Sequence, residues 1–157
     1  MARIVNVKEL QKILLREDFG KIVLTGGCFD ILHLGHVRFL SKAKRMGDTL
    51  IVLLESDRKV KKLKGKKRPV FIQKERAEML GALRSVDLVV LLPEMENDSD
   101  YSNLVMKIRP DIIAVTKKDL RIGKKEAQAK RSGGELKVIP LTKTYSTSKL
   151  VRILGVE

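Results

Sequence analysis

Apolar residues recur along this chain in two rhythms. Val7, Leu10, Ile13 and Leu14 follow helical spacing. Asn6 stands where a helix cap belongs, and Gly20 ends the stretch. Short apolar runs then appear at residues 21–25, 49–54, 87–92, 111–116 and 136–140. Their unbroken apolar centres predict strands buried on both faces, as in parallel sheets. Between them lie stretches with helical spacing. These are residues 37–46 closed by Gly47, 72–83, 101–108 stopped by Arg109-Pro110, and 149–154 behind Ser146-Thr-Ser148. Residues 117–131 are basic and partly helical, and Gly133-Gly134 breaks them. Alternating strands and helices predict an α/β fold with a parallel sheet of about five strands. No repeat or low-complexity linker interrupts the pattern, so residues 1–157 are read as one domain.

One junction carries the chemistry. The first strand runs into Thr25-Gly-Gly-Cys-Phe-Asp-Ile-Leu-His-Leu-Gly-His36, and a helix follows. A glycine-bearing strand-to-helix turn offers backbone N–H groups and the positive end of a helix dipole to a phosphate. The turn is neither G-x-G-x-x-G nor a P-loop. Both histidines of the chain, His33 and His36, fall here. Three residues apart on a first helical turn, they project from one side. Gly35 between them lets a phosphate approach the backbone. The bland alternative is a pair of half-buried histidines tied to nearby carbonyls. Glu55-Ser-Asp57 leaves the second strand, which places Asp57 and Asp30 near the same carboxyl-end rim.

Composition narrows the partners. Lys plus Arg number 33 against 19 acids, a formal charge of +14. Such a surface attracts anions: nucleotides, sugar phosphates, nucleic acid or anionic membrane. Aromatic residues are only 4%, which argues against base stacking on single strands. Charged residues make up 33%, and Asn and Gln are scarce, a balance like that of hyperthermophiles. The lone Cys28 excludes an internal disulfide and a cysteine metal cluster. No apolar run spans a membrane and no signal-peptide pattern opens the chain, so a soluble, cytoplasmic protein is expected. The basic segment from Arg58 to Arg68 reads as a solvated surface or an anion-binding patch.

These residues resemble a known family. Gly27-Cys-Phe-Asp-Ile-Leu-His-Leu-Gly-His36 is similar to the signature of the cytidylyltransferase-like nucleotidyltransferases, the class with the HxGH motif. The likeness continues through Lys64-Gly65, Arg68-Pro-Val70, Arg76, Leu80-Gly-Ala-Leu83, Arg109-Pro-Asp111, Gly133-Gly-Glu135 and Ser146-Thr-Ser148. It is strongest to the adenylyltransferases that activate heptose 1-phosphate. Glycerol-3-phosphate cytidylyltransferases and FAD synthetases share fewer of these features. The resemblance implies a Rossmann-like sheet with helices on both faces. It also implies transfer of AMP or CMP from ATP or CTP to a sugar or polyol phosphate, releasing pyrophosphate. Mg²⁺ would be held mainly by nucleotide phosphates, and relatives that are often dimers imply a homodimer.

Roles follow where residues match. The resemblance gives His33, His36 and Lys64 to catalysis. It gives Thr25, Gly27, Cys28, Phe29, Gly35, His36, Asp119, Ser146, Thr147 and Ser148 to the nucleotide. Asp30, Lys61, Lys64 and Arg76 fall to the acceptor side, with loop ordering as the other role for Asp30. Two loops depart from the family pattern. Lys117-Lys118 stand where the family usually has Gly-Gly or Gly-Asp before the matching Asp119, and Thr144 replaces a glycine before Ser146. Base choice is therefore not carried over. An inactive nucleotide-binding protein stays open as a second class.

Overall fold

The computed structural model describes residues 1–95 and 97–155. Six strands form one wholly parallel sheet: β1 Arg3–Asn6, β2 Ile22–Gly27, β3 Thr49–Leu54, β4 Leu88–Leu91, β5 Ile112–Thr116 and β6 Glu135–Ile139. Their spatial order is β1-β4-β3-β2-β5-β6. The helices are α1 Val7–Leu14, α2 Leu34–Lys44, α3 Asp57–Lys64, α4 Gln73–Gly81, α5 Asp98–Ile108, α6 Ile122–Ser132 and α7 Thr147–Leu154.

The sheet separates two apolar layers. Leu24, Ile51, Leu53 and Val90 pack with Leu10 of α1, Leu104 and Val105 of α5, and Ala129 of α6. Val23, Leu50, Val52 and Val89 face the other way, onto Leu40 of α2 and Ala77 and Leu80 of α4. Alternating residues of one strand thus feed opposite layers. This explains why the strands read as unbroken apolar runs.

One strand was not expected. Arg3–Asn6 is paired along its length with Leu88–Leu91. Asn6 ends it and caps α1, accepting from the Glu9 amide at 2.9 Å while Glu9 accepts from the Asn6 amide at 2.8 Å. The basic segment also differs from a plain solvated loop. Ser56 caps α3 on the Lys59 amide at 3.2 Å, and Lys61, Lys62 and Lys64 fill its last turn, where a helix dipole favours cations.

Strand order reverses at β2, between β3 and β5. β2 pairs with β3 over six positions but with β5 only at Val23–Ile112 and Leu24–Ile113. From Thr25 onward the two strands part, and a crevice opens at the carboxyl ends. That is the usual ligand position in open α/β sheets.

Candidate functional site

The residues after β2 build this crevice. Phe29 adopts a left-handed backbone, φ 44°, a costly choice for a residue with a side chain. It turns the buried Phe29 ring edge-on to His36, with centroids 5.1 Å apart. A Cβ at Gly27 would lie 3.0 Å from that ring.

His33 caps α2. Its Nδ1 accepts from the Gly35 amide at 3.1 Å. A neutral imidazole that accepts at Nδ1 carries its proton on Nε2, so the tautomer is fixed with a donor to spare. His36 lies one turn into the helix and stacks on His33, centroids 3.8 Å apart and planes at 28°. Burial, then the neighbouring His33, pushes His36 down to about 4 against the Ile31 carbonyl, which favours its protonated form. Burial lowers His33 as well. Both rings are therefore neutral near pH 7. Nδ1 of His36 is buried with no hydrogen-bond partner among the described residues. A Cβ at Gly35 would lie 2.8 Å from His33 Cε1 and 3.0 Å from the Thr144 methyl. The stacked pair thus requires glycine between its members.

The opposite wall is the start of α7. Ser146 Oγ accepts from the Lys149 amide at 3.3 Å, and Thr147 Oγ1 donates to the Ile31 carbonyl at 3.2 Å. The second bond ties α7 to the histidine loop, 116 residues away in sequence. The first amides of α7 have no partners within the helix. Ser148 also lines the cleft, which has a volume of about 870 Å³.

Cations outnumber acids on the walls. Lys64, Arg68, Lys118, Arg121, Lys124, Lys125 and Lys143 face the cleft. Its four acids are each engaged: Asp30 with Arg68, Glu55 with Tyr101, Asp98 with Lys124 and Asp119 with Lys125. Burial would raise Asp119, but the hydrogen bonds from Lys125 and the Arg121 amide outweigh it and hold the carboxyl low. The Cys28 thiol is pushed up by burial and then by the charge of Glu55, so it is no nucleophile at neutral pH. The cleft can hold a polyanion, and two neutral imidazoles stand beside amide-rich helix ends. Among the described residues no three His, Cys, Asp or Glu converge. Mg²⁺ would then be held mainly by the phosphate oxygens of a bound nucleotide.

Residues 24–153 match the family described as cytidylyltransferase-like, a range that takes in the cleft residues from Phe29 to Ser148. The chain belongs to the cytidylyltransferase-like family. Among curated relatives, the bifunctional protein HldE of Koribacter versatilis is 37% identical over 156 residues, covering 96% of this chain and 31% of the relative. HldE of Helicobacter pylori strain P12 is 42% identical over 146 residues, covering 93% and 30%. The chain spans about a third of the length of these relatives. A solved lipopolysaccharide core biosynthesis protein from Thermoplasma volcanium superposes with a TM-score of 0.64 at 26% identity, over 80% of this chain and 99% of that one. A pantoate-beta-alanine ligase from Francisella tularensis, 17% identical, shares the fold with a TM-score of 0.65, over 91% of this chain and 69% of its own.

Within this cytidylyltransferase-like fold the cleft collects most of the residues singled out from the sequence. Thr25, Gly27, Cys28, Phe29, Asp30, His33, Gly35, His36, Lys64, Asp119, Ser146, Thr147 and Ser148 all line it. Lys61 is exposed on α3 and does not line the cleft. Asp30 is buried, and its carboxylate accepts from Arg68 Nε at 2.6 Å, the Val70 amide at 2.8 Å and the Phe71 amide at 3.1 Å. These bonds tie Asp30 to residues 68–71. Arg76 corrects the sequence reading. Its side chain is 0% exposed and donates to the Phe71, Cys28 and Glu55 carbonyls and to Asp57 at 2.8 Å. No surface is left for an acceptor, so Arg76 positions the cleft from behind. Sequence reasoning missed Glu55 and Tyr101 as cleft residues; their 46-residue separation leaves no local signal.

Proposed function

We propose that this chain is a nucleotidyltransferase that moves AMP or CMP from ATP or CTP to a small phosphorylated acceptor. The observation carrying this is the stacked, neutral His33–His36 pair at the start of α2, facing an electropositive cleft. An acceptor phosphate oxygen attacks the α-phosphorus, the bond to the β-phosphate bridging oxygen breaks, and pyrophosphate leaves. Charge grows on the α-phosphate oxygens as this happens. The His33 Nε2 proton, fixed by the Gly35 amide, serves as a pre-aimed donor there. The amides at the start of α7 and Lys64 suit the remaining phosphates. The neutral Cys28 thiol fits a reaction without a covalent enzyme intermediate.

A sugar or polyol phosphate is the acceptor class we favour, because the similar Thermoplasma volcanium structure is a lipopolysaccharide core biosynthesis protein. Pyrophosphate release, measured with ATP and CTP against sugar and polyol phosphates, tests the reading. His33→Ala and His36→Ala should each lower turnover by about 10²-fold or more, as loss of a charge-stabilising donor does, while far-UV dichroism is unchanged. Full activity in both variants would overturn it.

A further inference from the structure

Resting on the transfer reading, we infer that Glu55 and Tyr101 read the hydroxyl groups of the acceptor. Glu55 follows β3, and its amide donates to the Gly27 carbonyl at 3.1 Å, which sets it beside the glycine turn. Tyr101 reaches over from α5, and its hydroxyl donates to both oxygens of the Glu55 carboxylate. Both side chains line the cleft.

The hydrogen-bond inventory decides what this pair can take. Tyrosine has one proton, and it is spent on Glu55. Burial and the carboxylate both raise the Tyr101 hydroxyl above its ordinary range, so that proton stays in place. The pair therefore offers the cleft lone pairs only, and its ligand must donate. A phosphate brings acceptors and negative charge, which Glu55 repels. Phosphates are left to Lys64 and the two histidines, which line the same cleft. An ammonium group would donate, but Lys59 Nζ already lies 5.8 Å from the Tyr101 ring centroid and repels a second cation. Among the groups a sugar or polyol phosphate brings, neutral hydroxyls remain. The acceptor is thus a polyhydroxy phosphate, with its phosphate toward Lys64 and its hydroxyls toward Glu55–Tyr101.

The test is initial-rate kinetics with ATP or CTP. The acceptors are hexose 1-phosphates, their singly deoxygenated analogues, glycerol 3-phosphate and ethanolamine phosphate. Glu55→Gln and Tyr101→Phe should each raise the KM of the best hydroxylated acceptor about tenfold and leave the nucleotide KM within twofold, which also reports an intact fold. In the native chain one deoxy analogue should be about tenfold poorer than its parent, and that difference should vanish in Glu55→Gln. Unchanged acceptor KM in both variants would overturn the inference while transfer stands. So would ethanolamine phosphate as the best acceptor. Absence of pyrophosphate release by the native chain across the panel would overturn the transfer reading and this inference with it.

Discussion

His36 sits in an environment that disfavours its charged form. Its ordinary value of 6.5 falls to about 4, led by burial. Between those values the unfolded chain binds a proton that the folded chain refuses, so stability rises with pH across that window. The contribution is complete above pH 6.5 and is lost as acid takes the solution down through about 4. The gap corresponds to roughly 3 kcal/mol. Urea unfolding at pH 4.5 and pH 7 should show this dependence, and His36→Gln should flatten it. An unaltered slope in that variant would assign the acid sensitivity elsewhere. At this scale the sequence was informative, because the spacing of His33 and His36 already placed both rings on one side of a first turn. Their stacking was not legible, since spacing does not report that Phe29 sits against His36 or that Thr144 closes on Gly35 from the far end of the chain.

At the scale of elements, Arg76 joins four segments. Its helix is α4, and its donors reach the histidine loop at Cys28, the end of β3 at Glu55, the start of α3 at Asp57 and the loop carbonyl of Phe71. Arg76→Met would leave several carbonyls near the cleft without a donor. The expected cost is about 3 kcal/mol, read from urea midpoints, with turnover falling as the Cys28 turn relaxes. Arg76→Lys should fare little better, since one ammonium cannot span four acceptors. A change below about 1 kcal/mol in Arg76→Met would show that other contacts hold the cleft together. The sequence displayed Arg76 only as a cation on a helix, because its partners are 5 to 48 residues away. β1 was hidden for the same reason. Arg-Ile-Val-Asn has too few residues to show a rhythm, and its strand state comes from pairing with Leu88–Leu91. Strands β2 to β5 announced themselves through burial on both faces, which leaves a local mark.

For the whole molecule, charge dominates. Thirty-three basic residues face nineteen acids, and the cleft walls follow the same excess. A nucleoside triphosphate should be drawn in over distances comparable to the Debye length, about 10 Å at 0.1 M salt and 3 Å at 1 M. The nucleotide KM should therefore climb several-fold across that salt range while kcat changes less. A salt-independent KM would confine the attraction to short contacts inside the cleft. The sheet has open edges at β1 and β6, and each carries a charged pair. Arg3 of β1 meets Glu17 at 2.7 Å, and Glu135 and Lys137 of β6 meet each other at 2.9 Å. A neighbouring chain that tried to extend the sheet would have to strip water and partners from these ions, a standard deterrent to strand addition. Self-association of this protein is thereby steered away from its sheet edges and toward its helices and loops.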